Sequence, residues 1–404
     1  MRHREFRRRS IRRGDQSASS ICATAKNKLY SRADSVEVCG NTWPGISIVL
    51  PVKGCRKHSL QNWKSQLHSK YSGPIEYLFV VDSQADPAYS AISDLLDSKQ
   101  GANVKILIGV KATCTSQKIC NLKTGILAAN QAHKWLLCLD DDVLLHPTTL
   151  DDLIAAAEAD PCSFMVTGYP FDVPEVGASL LTYCCLVYHL PLVIAFSVRQ
   201  CTSFVWGGCM LLPLADLRSD AHGIIHSWSQ GGYSDDLTVA SICSEKGLQI
   251  LCPSFAIFPQ WLERECSPGR FWNYLRRQLY VMDTYANSHN EHLNHAMLAL
   301  HCYLSWAFVA PAAISSLQVA AYIYQWISLG PHTASRPAMP CLAFFAAFLG
   351  AHVALLWMTD VILNLFSALD VGQRRARMGQ FSWVFDITST MGELSGCGIL
   401  SSVM

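Results

Sequence analysis

From Ile46 onward, short unbroken apolar runs alternate with polar stretches of helical spacing. The runs ISIVLPV (46–52), IEYLFVVD (75–82), VKILIGV (104–110), KWLLCLD (134–140) and SFMVTGY (163–169) lack the in/out alternation of a strand with one wet face. Continuous apolar runs predict strands covered on both sides. The segments 57–69, 87–99, 117–132 and 148–159 carry helix-like spacing, so the crossovers are predicted helical and the strands parallel. The expected fold class is α/β. In such sheets ligands bind beyond the carboxyl ends of the strands. Asp82 and Asp140 end the second and fourth runs and should share that rim, with Gly54 opening the first loop beside them.

After about residue 285 the pattern changes. Residues 297–329 and 341–358 are uncharged, each long enough for the roughly 20 apolar residues of a spanning helix. Two membrane helices are predicted, near 297–329 and 341–359, with a possible third element at 380–404. The loop between them holds one arginine and DVGQRRARMGQ after the second holds three. By the positive-inside bias the latter side, and with it the preceding domain, faces the cytosol. The uncharged stretch 176–198 is a further candidate. As a span it would carry Asp235 and Asp236 across the membrane from Asp140, so it is read as core plus an interfacial helix. The expected domains are a basic N-terminal segment (1–44), a catalytic domain (45–285) and a membrane domain (286–404).

Composition changes this picture little. Net charge is +1 and charged residues make up 16%, which argues against a nucleic-acid partner. The basic start, RHREFRRRSIRR, reads as a solvated tail, an anionic-lipid contact or a targeting segment, and no apolar signal core follows it. Seventeen cysteines, an odd number without a C-x-x-C pair, fit reduced buried thiols rather than a disulfide framework.

The chemistry concentrates in acidic clusters. In LDDDV, three adjacent carboxylates close a buried strand. Unit charges about 4 Å apart repel by roughly 4 kcal/mol at an effective dielectric of 20, so a cation is expected there. If the segment is extended, Asp140 and Asp142 face the same way while Asp141 points elsewhere. All-oxygen ligands select Mg²⁺ or Mn²⁺ and leave positions for phosphate oxygens. A solvated turn before the next helix is the plainer alternative. In GGYSDDLTVA, Ser234 can cap a helix that Asp235 and Asp236 begin and Gly247 ends. Those carboxylates alone read as capping; beside the Asp140–Asp142 cluster they become candidates for a catalytic base. Arg276 and Arg277, among aromatics in FWNYLRRQ, fit either leaving-group stabilisation or a juxtamembrane basic helix. His289, His292 and His295 lack a fourth ligand and read as an interfacial polar face.

In order, VLPVKG, VVDSQADPAY, SQKICNLKTG, LDDDV, GGYSDDL and FWNYLRRQ resemble the ceramide glucosyltransferases, particularly their plant and algal branch, over about residues 45–285. The resemblance implies a GT-A glycosyltransferase fold facing the cytosol on the Golgi or endoplasmic reticulum. It also implies transfer of glucose from UDP-glucose to the primary hydroxyl of ceramide with inversion, giving β-linked glucosylceramide. Through it, Asp82 and Asp86 fall in the segment on the uridine side, and Asp140 and Asp142 in the metal and diphosphate segment. Asp236 falls at the general base, with Asp235 beside the donor. Lys53, Lys118 and Asn121 match polar donor-site positions, and His189 in VYHLP matches a histidine linked to the nucleotide sugar or acceptor. The family's terminal Q/R-x-x-R-W motif is altered: Asn273 holds its first position, Arg276 the arginine and Arg277 the tryptophan. No stretch of residues 1–44 matches the family's N-terminal membrane helix.

The reading that joins these is an inverting, metal-dependent transferase with an aqueous donor and a lipid acceptor. A processive polysaccharide synthase would want an intact Q-x-x-R-W segment and more helices. A catalytically inactive membrane scaffold would tolerate loss of Asp236.

Overall fold

The computed structural model describes residues 43–97, 103–175, 200–253, 255–282 and 287–329, with scattered positions in 178–196 and Gly350. Two compact units divide at Ala286 and Asn287.

The first unit opens with β1 (Ile46–Val52), α1 (Ser59–His68), β2 (Ile75–Val81), α2 (Pro87–Asp97), β3 (Val104–Ile108), α3 (Gln117–Ala128), β4 (Trp135–Leu139) and α4 (Thr149–Ala159). It continues with β5 (Ser163–Thr167), β6 (Tyr169–Pro174), β7 (Cys201–Thr202), β8 (Cys209–Pro213), α5 (Leu214–Ser219), α6 (Ile224–Gln230) and α7 (Asp235–Lys246). β9 (Gln249–Leu251), β10 (Ile257–Leu262) and α8 (Pro268–Met282) complete it. Eight strands form one sheet in the order β3-β2-β1-β4-β8-β5-β9-β7, and β10 pairs with β6 in a second, parallel ribbon.

The predicted strands form, and β3, β2, β1 and β4 run parallel. The all-parallel expectation is corrected at β8, which is antiparallel to both β4 and β5, and at β7, antiparallel to β9. The physical reason lies in the loop. β4 leads through α4 and β5 into β6, and the chain returns through Trp206, Gly207 and Gly208 from the same rim at which β4 ends, so β8 must run back along β4. Asp140 N–H donates to Gly208 C=O at 3.0 Å and fixes that juncture.

Apolar residues cover both faces of the sheet, as continuous runs require. On one face Ile46, Ile48, Leu50, Phe79 and Val81 pack with Trp63 of α1, Ile92 of α2 and Leu153 of α4. On the other, Val49, Leu78 and Val80 pack with Ile119, Leu122 and Ile126 of α3 and Val239 of α7. Cys138, Cys209, Cys243 and Cys252 are buried, whereas Cys55, Cys114, Cys162 and Cys201 are exposed rather than buried as expected.

The second unit is described chiefly through α9 (Ser288–Leu329), 42 residues long. Among the described residues no helix is long and apolar enough to cross a membrane. The expected C-terminal membrane helices thus find no support among the described residues, although residues 297–329 are helical as part of α9. The second expected span, 341–359, lies outside the described residues except for Gly350, as does the third element, 380–404. Most of the expected interfacial stretch 176–198 is likewise undescribed. At its start Ser179 N–H donates to Arg264 C=O at 2.8 Å and the Thr182 hydroxyl to Glu263 C=O at 3.2 Å.

Candidate active site

The carboxyl ends of β1, β2 and β4 and the first turn of α7 deliver the acidic residues to one rim. β4 is fully buried up to Leu139, and the chain then leaves the sheet at Asp140. Asp141 and Asp142 form a turn rather than the extended segment expected, so strand alternation is not what orients these side chains. The turn is held by Gln66 of α1, whose buried amide donates to the carbonyls of Asp140 (2.9 Å) and Val143 (2.8 Å). This tie between α1 and the acidic turn carries no signal in the sequence beyond a polar residue on an apolar helix face.

Lys118, in the first turn of α3, is the charge centre. Its Nζ lies 2.9 Å from Asp140 Oδ1 and 3.1 Å from Asp235 Oδ2, and it donates to Gly207 C=O at 3.1 Å. Burial alone would lower its pKa, but Asp140 and Asp235 outweigh it and hold the ammonium well above its ordinary value. The positioning follows from local sequence. Ser116 caps α3 by accepting from Ile119 N–H, which sets Lys118 on the first turn.

Ser234 caps α7 as predicted, accepting from Leu237 N–H at 3.2 Å, and Gly247 closes that helix in the left-handed conformation. The two carboxylates behind the cap differ. Asp235 is buried at 6% exposure beneath Lys118, and burial, reinforced by Asp236 and Asp140 and partly offset by Lys118, pushes its carboxyl up to about 7. Asp236 is half-buried and accepts from Gly207 N–H at 3.1 Å, from Leu237 N–H at 2.8 Å and from the Ser234 hydroxyl. Gly207 thus touches both acids and Lys118. A Cβ on it would lie 2.7 Å from Asp235 Oδ2 and 2.9 Å from Lys118 Nζ. The Trp-Gly-Gly triplet ahead of an apolar run was the available signal for this close approach.

The remaining expected residues distribute as follows. Lys53 Nζ lies 3.3 Å from Asp82 Oδ2, and Asn121, nearly fully buried, donates to Asp82 Oδ1 at 3.2 Å, so these three form a second polar group on the rim. Asp86 accepts from Gly54 N–H (2.9 Å) and Ala88 N–H (2.8 Å), which ties the first loop to the start of α2. Arg277 donates to the Tyr233 hydroxyl at 3.1 Å and so reaches the loop before Asp235. Arg276 instead stays on its own helix, donating to the Tyr280 hydroxyl at 3.2 Å with its guanidinium 5.6 Å from that ring's centre. His189 lies outside the described residues. His289, His292 and His295 lie on α9, and among the described residues no group of three or more His, Cys, Asp or Glu side chains is placed to hold a metal by itself.

Could Asp140 and Asp142 hold a divalent ion with help? The donors are all carboxylate oxygen. Burial, then Asp142, push Asp141 well above the usual carboxylate range, and burial, then Asp140, push Asp142 upward. Arg56, 3.6 Å from Asp142 Oδ2, and Lys118 are the cations these acids face. Five carboxyl groups (Asp140, Asp141, Asp142, Asp235, Asp236) face two cations, so a hard divalent ion would compensate the charge that full ionisation of this cluster creates. Two protein carboxylates would suffice if phosphate oxygens and water completed the shell.

Residues 17–362 match the model of glycosyl transferase family 21. Among curated proteins, ceramide glucosyltransferase 1 of Caenorhabditis elegans is 25% identical over 130 residues, covering 32% of this chain and 27% of that protein. The aligned part is thus about a quarter of that relative's length. Among solved structures, the mannosyltransferase PcManGT of Pyrobaculum calidifontis, in complex with GDP-Man and Mn2+, is 15% identical. The match covers 85% of this chain and 91% of that one with a TM-score of 0.41.

Proposed function

We propose that this chain, which belongs to glycosyl transferase family 21, transfers glucose from UDP-glucose to the primary hydroxyl of ceramide with inversion. The observation that carries the reading is the convergence of three distant segments on one ammonium, with Asp140 and Asp235 both within 3.1 Å of Lys118 Nζ. A cation held between carboxylates at the strand rim is where a sugar nucleotide's diphosphate would be met.

Access separates the two acids of α7. Asp236 is the half-buried one, and its oxygens are aimed by Gly207 N–H and Leu237 N–H, so it is assigned as the base that takes the acceptor's proton. Asp235, beneath Lys118, is a positioning residue. The acceptor oxygen attacks the anomeric carbon from the side opposite the diphosphate, which inverts the configuration. Lys118 stabilises charge on the departing UDP, and Arg277 orders the Tyr233 loop in front of the base. Asp140 and Asp142 would hold Mg²⁺ or Mn²⁺, which when bound neutralises the leaving diphosphate.

The lipid acceptor is supported by Leu317, Tyr324, Trp326 and Ile327, large side chains at 51–72% exposure on α9. We accordingly place the protein at a Golgi or endoplasmic-reticulum membrane with the catalytic unit on the cytosolic side. The test is Asp236→Asn in purified protein with UDP-glucose and short-chain ceramide. Transfer should fall by about a hundredfold or more while UDP binding is retained. Transfer at wild-type rate would remove Asp236 from the mechanism.

A further inference from the structure

The loop after β1 is a basic strap, Lys53 to His58, fastened at both ends. At one end Lys53 pairs with Asp82 at 3.3 Å and Gly54 N–H donates to Asp86 at 2.9 Å. At the other, Lys57 Nζ meets both oxygens of Glu175 at 2.7 and 2.6 Å, and His58 Nε2 lies 2.9 Å from the same carboxylate. The His58 ring stacks on Trp261 at 5.9 Å, so the strap is tied to the β6–β10 ribbon. Arg56 sits between these fastenings and is held differently. Its Nη1 is 3.6 Å from Asp142 Oδ2, beyond hydrogen-bond range, and its side chain is 54% exposed.

The two cations facing the acidic rim are therefore unequal. Lys118 is locked by two carboxylates and a carbonyl. Arg56 has a fixed backbone and a loosely held guanidinium, one end of whose reach is the carboxylate expected to bind the ion. A guanidinium also matches phosphate oxygens in paired hydrogen bonds better than it matches one distant carboxylate oxygen.

We propose that Arg56 is an exchangeable counter-charge: it neutralises Asp142 while the ion site is empty, and on ion binding it transfers its contact to the diphosphate of the donor. The proposal rests on the donor-site reading above. It makes Arg56 a competitor of the ion and a partner of the nucleotide, a combination that a purely structural role for Arg56 does not produce.

The experiment measures Arg56→Gln against wild type in two separate titrations, with folding checked by circular dichroism. Mn²⁺ alone, followed by the loss of its free electron-paramagnetic-resonance signal, should bind about two- to fivefold tighter to the variant, the scale of an exposed ion pair removed from competition. UDP, titrated calorimetrically at saturating Mn²⁺, should bind about ten- to a hundredfold more weakly, as for loss of a charged hydrogen bond. Arg56→Lys, which keeps charge but not the fork, should leave Mn²⁺ affinity near wild type and UDP affinity between the two. Equal weakening of both ligands, or no change in either, would overturn the role of Arg56 alone, provided wild type binds both. Failure of wild type to bind either Mn²⁺ or UDP would instead overturn the donor-site reading, and this inference with it.

Discussion

Gly207 has no room for a side chain. A methyl group there would press on Asp235 Oδ2 and Lys118 Nζ, at 2.7 and 2.9 Å, and its N–H also aims Asp236. Gly207→Ala should therefore disturb the site more than the fold: transfer is expected to fall by about ten- to a hundredfold with little change in melting temperature. A variant with full activity would mean that the Lys118–Asp235 pair is not needed in its present geometry. Asp235 gives a second, pH-dependent prediction. Its carboxyl is raised to about 7, against about 4 in an unfolded chain. The folded state thus holds this proton more tightly, so its stabilising contribution is complete below about pH 4 and is lost as pH rises through about 7. In chelator, wild type should lose melting temperature relative to Asp235→Asn between pH 5 and pH 8. A constant gap between the two would show that Asp235 is already ionised at pH 5.

At the scale of elements, the opposite end of the sheet carries its own polar assembly. Glu76, fully buried at the start of β2, accepts from Ser47 of β1 (2.7 Å), Lys105 of β3 (3.0 Å) and the Asn130 N–H that follows α3 (2.5 Å). Burial alone would raise its pKa, but those donors outweigh it and hold the carboxyl below its usual value. The linkage has the sign opposite to that of Asp235: the contribution is present above the unfolded-state pKa and is lost as pH falls through the folded one. Glu76→Ala should destabilise the protein by about 2–4 kcal/mol at pH 7 in urea unfolding, with a smaller penalty at acid pH, because three segments lose a shared acceptor. A pH-independent penalty would place the cost in packing. Period and capping made much of this level legible: the five apolar runs, the Ser234 cap and the Gly247 stop all lie where the residues put them. The return strand β8 was not legible, because a continuous apolar run reports burial on two faces but not direction. The Asp140–Asp142 turn departs from an extended segment for a related reason. Its shape depends on Gln66, 74 positions away from Asp140 in the chain, and local alternation cannot register such a contact.

Across the whole molecule, the acids that the sequence singles out meet at one rim, but the sequence does not rank them. Burial of Asp235 and partial exposure of Asp236, the turning of Arg276 away to Tyr280, and the reach of Arg277 to Tyr233 are facts of packing between separate elements. The membrane assignment shows the reverse limit: uncharged length suggests spanning helices, yet among the described residues no helix is long and apolar enough to cross a membrane. What unites the catalytic unit is electrostatic. Acidic side chains from β4 and α7 outnumber the cations that face them, a surplus that a divalent ion and a diphosphate together would resolve.

The most direct test of that claim is transfer of radiolabelled glucose from UDP-glucose to short-chain ceramide by the full chain in detergent, assayed with Mn²⁺, with EDTA, and with Mn²⁺ restored. Labelled glycolipid that forms with Mn²⁺, disappears in EDTA and returns on restoration is the predicted result. Product formed equally well in EDTA would contradict the ion at Asp140 and Asp142, and no product in folded protein under any metal condition would contradict the transferase itself.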